Sequence, residues 1–242
     1  MLIGPQNSLL VGELTERLRQ VRARIAAAAS SAGRNADCVT LLAVSKGRSP
    51  AAVQVLAQLG VGNFAESYLQ EAVPKLAALS GLQLTWHFIG RLQANKTRTV
   101  AEHFAWVHSL DRLRLAERLA AQRPQLAPPL NVCVQVKLAE DATKGGASAA
   151  EATALAAAIA RLPALRLRGL MCMLPEGLDA GSQLARFGAV HALFEQLNRG
   201  GAGLDTLSMG MSADFEPAIA AGSTLVRIGT ALFGLASAPP SP

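Results

Sequence analysis

From residue 39 to residue 228 the chain alternates between short apolar runs and amphipathic segments. Eight runs, VTLLAV (39–44), VGNFA (61–65), LTWHFI (84–89), AWVHSL (105–110), NVCVQV (131–136), LRLRGLMCM (165–173), LDTLSM (204–209) and TLVRI (224–228), are short and mostly free of charge. Runs of that kind predict strands buried on both faces. Helical patterns fall between them, near 50–59, 66–79, 95–102, 111–122, 148–161, 183–199 and 212–221, several opened by Ser, Asn or Asp and some closed by Gly. Strict alternation of strand and helix predicts an α/β fold with a parallel sheet, and eight units predict a single closed (β/α)8 TIM barrel. The rival, a doubly wound open sheet, would want a glycine-rich phosphate turn after its first strand; VSKGRSP is not one.

Ahead of the alternation, residues 8–32 predict a long helix with Leu14, Leu18, Val21 and Ile25 on one stripe. Glu13 and Glu16 come early and Arg22 and Arg24 later, as the helix dipole favours, and Gly33 suits the position just past the end. The expected organisation is therefore an N-terminal helix packed on the barrel (1–38), the barrel itself (39–235) and a disordered tail (236–242). Proline- and glycine-rich stretches at 123–129, 174–181 and 199–203 are loops within one domain rather than linkers.

Composition narrows the function classes. Half of the 242 residues are hydrophobic and only 4% aromatic, which suits helices packed closely on a sheet. The net charge of +6 invites anionic partners, but the arginines are dispersed and no basic block is interleaved with aromatics, so nucleic acid is not an expected partner. The opening residues lack the pattern of a signal peptide and no run is long and apolar enough to span a membrane, so a cytoplasmic protein without membrane association is expected. Cys38, Cys133 and Cys172 lack metal-type pairing, and His87, His103, His108 and His191 lack HExxH-type spacing, so no metal is expected.

Candidate chemistry starts at Lys46. Ser49 fits an N-cap and Pro50 the first helical position, so Lys46 lies on the loop leaving the carboxyl end of an interior strand, the end that carries ligands in such folds. Held against an apolar floor, its amine would be freed for attack on an aldehyde; position alone also allows a solvated loop lysine. A second stretch, LSMGMSADFEPAIAAGSTLVRIGTALFG (207–234), covers the loops after the last two strands, where barrels commonly bind phosphate. Ser208 can donate a hydroxyl, Gly210 lets backbone come close, and Gly229 and Thr230 offer N–H groups and a hydroxyl. Asp214 and Glu216 in the intervening helix would repel a phosphate. The glycines also suit tight turns alone. Arg227 is a guanidinium within a barrel strand and needs a partner, either a ligand atom or a core acid. Lys46, Arg48, Arg91, Lys96, Arg98 and Lys144 all follow predicted strands and would ring one cationic mouth.

AVSK, the F-x-E-x-Y-x-Q-E run (64–71), WHFIGxLQxNKTR (86–98), LRGLMCM (167–173) and LSMGMSxDFExAIAxGSTxVRIGTALFG (207–234) together resemble the pyridoxal phosphate homeostasis protein family, over roughly 39–235. Its members resemble the barrel domain of alanine racemase and of the eukaryotic ornithine decarboxylases, the fold-type III cofactor-binding barrel. The resemblance implies pyridoxal 5′-phosphate as cofactor, held by Lys46 as a Schiff base. Ser208, Gly229 and Thr230 match the positions that hold its phosphate, Met209 and Gly210 complete the cofactor-binding set, and Arg227 matches the arginine facing the pyridine nitrogen. One departure stands out: the family's Phe-Gly-Glu-Asn is here Phe64-Ala65-Glu66-Ser67, losing a glycine capable of left-handed geometry and an amide.

Two functions fit that resemblance, a carrier that holds the cofactor and releases it transiently to apo-enzymes, and an amino-acid racemase. An arginine opposite the ring nitrogen keeps its own proton and weakens the electron sink. Racemases of this fold tolerate that arginine but add a β-domain that supplies a tyrosine and a dimer interface, whereas this sequence ends shortly after strand eight and its only tyrosine, Tyr68, is placed to pack or line the rim. A non-catalytic, monomeric carrier is the expectation. Lys144 is a second lysine at the same mouth, either a transient holding point or a solvated side chain.

Overall fold

The computed structural model describes residues 5–138 and 145–235, residues 5–8 by backbone alone. The Lys144 and tail expectations lie outside the described residues. Eight parallel strands close a barrel in chain order. They are β1 (Thr40–Val44), β2 (Asn63–Glu66), β3 (Thr85–Phe88), β4 (Trp106–Leu110), β5 (Leu130–Gln135), β6 (Leu165–Met171), β7 (Thr206–Met211) and β8 (Leu225–Ile228). All eight expected strands are present, with some ends shifted by one or two residues. Closure is made by β8 pairing with β1, Leu42 lying opposite Arg227.

The helices are α1 (Pro5–Ser31), α2 (Pro50–Gln58), α3 (Leu69–Ala78), α4 (Thr97–His103), α5 (Leu113–Gln122), α6 (Ala149–Ile159), α7 (Ala180–Arg199), α8 (Phe215–Ala220) and α9 (Thr230–Phe233). The last, a single turn past β8, has no hydrophobic period of its own and was not expected. α1 buries Leu14, Leu18, Val21 and Ile25, and it packs across α8, α9 and α2. Its charges do not serve the dipole as expected: the first turn carries no acid and the last no base. Instead Glu16 accepts from Arg19, and Arg24 reaches across to Glu216 on α8 at 2.6 Å. Among the described residues, no helix is long and apolar enough to cross a membrane.

Alternation along each strand sorts the side chains. Ala43, Phe64, Val107, Met209 and Val226 join the apolar layer beneath the helices, whereas Leu42, Val44, Ala65 and Leu225, with Ile89, form a small separate cluster within the barrel. The interior also holds polar groups. His87, His108, Ser208 and Arg227 are all buried there. At the amino end of the strands Arg168 lies 4.6 Å above the Trp106 ring and donates to Asp205 and Asn131, closing the barrel floor.

Candidate functional site

The carboxyl ends of β1, β7 and β8 bring the expected residues to one mouth. Lys46 lies in the turn two residues past the end of β1, and it is exposed rather than pressed on an apolar floor. Ser49 does cap α2, accepting from the Ala52 N–H with Pro50 at the first helical position.

The backbone on either side of Lys46 is tied down by α3. Lys75 is buried and donates to the Ser45 carbonyl oxygen at 2.7 Å, to Glu66 Oε1 at 2.7 Å and to Glu71 Oε1 at 2.6 Å. Ser45 Oγ donates to the same Glu66 oxygen at 2.6 Å. The Gly47 N–H donates to Glu71 Oε1 at 2.7 Å. Burial raises the Glu66 carboxyl above its ordinary range, against the pull of Lys75 and Ser45.

Arg227 finds neither a core acid nor a salt bridge among the described residues. Its Nη1 donates to the Ser208 carbonyl at 2.5 Å and to Ser208 Oγ at 2.9 Å, and its Nη2 donates to the Cys172 carbonyl at 2.8 Å. Those contacts engage three of the five N–H donors of a guanidinium. Burial lowers its pKa from the arginine norm, yet an arginine still keeps its proton.

Behind Arg227 runs a chain that sequence inspection missed. Ser208 Oγ lies 2.8 Å from His108 Nδ1, His108 Nε2 lies 2.9 Å from His87 Nδ1, and His87 Nε2 lies 3.1 Å from Asn63 Oδ1. With Arg227 only a donor at one end and the Asn63 oxygen only an acceptor at the other, the chain has one consistent polarity. Ser208 donates to His108, His108 to His87 and His87 to Asn63, each ring a neutral Nε2–H tautomer. Burial agrees: it pushes His87 down to about 3 and His108 well below its ordinary value. The signal was a histidine at interior parity in each of β3 and β4.

Ser208 is consequently fully buried beneath Arg227, not a hydroxyl on the mouth. The serine at the backbone pair is Ser212, whose Oγ accepts from the Gly229 N–H at 3.3 Å and the Ala231 N–H at 3.2 Å. Gly229 is half-buried and Thr230 exposed beside it. Met209 turns its side chain into the layer under the helices. Gly210 admits a helix rather than a ligand: it has φ of +89° and an added β-carbon would lie 2.8 Å from Phe215 Cα. Asp214 and Glu216 do not oppose an anion as expected. Asp214 accepts from the Met211 N–H and Glu216 faces Arg24.

Two of the expected rim cations are engaged within the chain. Arg48 donates to the carbonyls of Phe233, Gly234 and Leu235, and Arg98 pairs with Glu102 along α4 at 3.8 Å. Lys46 and Arg91 remain exposed. Tyr68 stands at the rim, 61% exposed. Ala65 sits in regular strand inside the barrel, and among the described residues only glycines have positive φ, so the departure from glycine strains nothing. No group of three or more His, Cys, Asp or Glu side chains among the described residues could hold a metal.

The donor set at this mouth therefore comprises an amine, a buried guanidinium without a carboxylate partner, and a pair of N–H groups now capped by a hydroxyl oxygen. It suits a ligand with an aldehyde, a ring acceptor and a phosphate.

The chain belongs to the family of the alanine racemase N-terminal domain, whose sequence model matches residues 17–237. Within that family it groups with the pyridoxal phosphate homeostasis proteins. It is 52% identical over 221 residues to the pyridoxal phosphate homeostasis protein of Pseudomonas aeruginosa, covering 91% of this chain and 95% of that one. To the protein of the same name from Escherichia coli K12 it is 47% identical over 227 residues, covering 93% and 97%. PipY of Synechococcus elongatus PCC7942, solved with PLP bound, superposes with a TM-score of 0.81 at 38% identity, over 91% of this chain and all of that one.

Proposed function

We propose that this protein binds pyridoxal 5′-phosphate at the carboxyl mouth of its barrel and serves in cofactor homeostasis, holding the cofactor and releasing it to other proteins. The observation that carries the reading is the convergence of Lys46, Arg227 and the Gly229–Ala231 amide pair on one mouth, in a chain whose relatives are named for that cofactor. When bound, the cofactor supplies an aldehyde that a lysine amine can hold covalently with loss of water, and a phosphate dianion. Lys46 would be the lysine. The Gly229 and Ala231 N–H groups, with Ser212 and Thr230, would hold the phosphate, and Arg227 would face the ring nitrogen. Ser208 acts one layer deeper, fixing Arg227 through Nη1.

A carrier is favoured over a racemase by the residues themselves. Arg227 offers N–H groups and no carboxylate, which weakens the electron sink in either function, so the second acid/base is what separates them. Two-sided proton transfer needs a second acid/base over the mouth. The sole tyrosine, Tyr68, is a rim residue with most of its surface in solvent. Transient contact with apo-enzymes and a monomeric state belong to the same proposal.

Titration with the cofactor, followed by absorbance, should show saturable binding of one equivalent that Lys46→Ala abolishes. A racemisation assay with alanine and other amino acids should stay far below about 1 per second; turnover at that rate or above would make it an enzyme.

A further inference from the structure

We propose that Glu71, Lys75 and Glu66 form a positioning clamp for Lys46, an inference that rests on Lys46 being the cofactor-bearing lysine. An ammonium has three N–H donors, and in Lys75 all three have acceptors: the Ser45 carbonyl, Glu66 and Glu71. The two carboxylates then reach past Lys75 to the same short segment, Glu66 taking the Ser45 hydroxyl and Glu71 the Gly47 N–H. The residue before Lys46 is thus held at its carbonyl and its hydroxyl, and the residue after it at its amide.

Burying these charges is costly, with the Lys75 side chain 3% exposed and that of Glu66 0% exposed. Apolar packing between β2 and α3 would satisfy the fold equally well. What charges add is directional hold on the two peptide units flanking one lysine. Gly47 supports this. It turns the chain at φ of +70° with nothing within 4 Å of an added β-carbon, so local crowding does not explain the turn, and its amide is fixed by Glu71. A fixed Cα narrows the arc available to the Lys46 amine and lowers the ordering needed for capture of an aldehyde. Glu71, Lys75 and Glu66 are positioning residues; none needs to touch the cofactor.

The test compares wild type, Glu71→Ala and Glu71→Gln. Glu71 is one-third exposed, so both variants should fold. Amide hydrogen exchange at Gly47, measured without cofactor, reads the clamp directly. The rate at which pyridoxal 5′-phosphate becomes trappable on Lys46 by borohydride reads its consequence. Losing a hydrogen bond to a charged acceptor should speed Gly47 exchange and slow capture about tenfold in Glu71→Ala. Glu71→Gln keeps an acceptor oxygen and should recover most of both. If Glu71→Ala captures the cofactor at the wild-type rate, or Glu71→Gln fails as badly as alanine, the clamp is refuted while the cofactor reading stands. If wild type itself takes no label on Lys46, the cofactor reading fails and this inference with it.

Discussion

An added β-carbon at Gly210 would lie 2.7 Å from that of Ala218 at φ of +89°, whereas one at Gly12, exposed inside α1, would meet nothing within 4 Å. Gly210→Ala should therefore cost at least about 2 kcal/mol by strain and overlap. Gly12→Ala should stabilise by about 0.5–1 kcal/mol by lowering the entropy of the unfolded chain. Urea denaturation of both variants checks the opposite signs. The motif around Gly210 was legible, but its purpose was not. From sequence the glycine admits a phosphate; in the fold it admits α8. The two serines of the motif divide the same way. Ser208 falls at interior parity on β7 and Ser212 beyond its end, and only the register of β7 against β8 shows which lies under Arg227 and which reaches Gly229. Arg227 was legible as a charge out of place in a strand. Its partners are two main-chain carbonyls and the Ser208 hydroxyl, and no residue pattern encodes the carbonyls.

At the scale of elements, the short apolar runs of the strands, their alternation with helices and the stripe of α1 carried nearly all of the architecture, because burial enforces each. Leu18 on that stripe is 3% exposed. Leu18→Ala should cost about 3 kcal/mol, within the range for a leucine that leaves a core cavity. Ser49→Ala removes the acceptor for the Ala52 N–H at the start of α2 and should cost about 1 kcal/mol. Thermal or chemical unfolding would show both, with the core substitution clearly larger. Exposed charges were less legible. Arg24 has no acid within a turn of it on α1, and its partner, Glu216 on α8, lies 192 residues away in sequence, so sequence order did not reveal the pair. The ties from α3 to the loop after β1 were hidden for a further reason. Glu71 and Lys75 have the spacing of an ordinary surface pair on a helix, and only the buried Glu66 on β2 turns them inward.

Across the whole molecule, the barrel interior combines a small apolar cluster with a polar chain that runs from Asn63 through two neutral histidines and Ser208 to the charged Arg227. Both histidines are held neutral by burial, His87 at about 3 and His108 also disfavoured by His87 and Arg227. The unfolded chain takes up these protons near pH 6.5, so the contribution to stability is full above that pH and is lost as pH falls from about 6.5 toward 3. Between pH 7 and pH 5 His87 alone should remove about 2 kcal/mol, and His108 acts in the same direction. Glu66 and Asp214, raised by burial, act in the opposite sense, so the informative quantity is the difference from His108→Gln, which should lose less stability than wild type over the same interval. Urea unfolding at the two pH values measures it; an equal loss in both proteins would mean that the fold does not hold His108 neutral.

Peptide mapping after borohydride reduction of the protein mixed with pyridoxal 5′-phosphate tests the central claim most directly. One pyridoxyl group per chain, on Lys46 and absent from Lys75 and Lys96, is the expected result. Label scattered over several lysines, or on a single lysine elsewhere, would contradict it and leave the barrel without the function argued for its mouth.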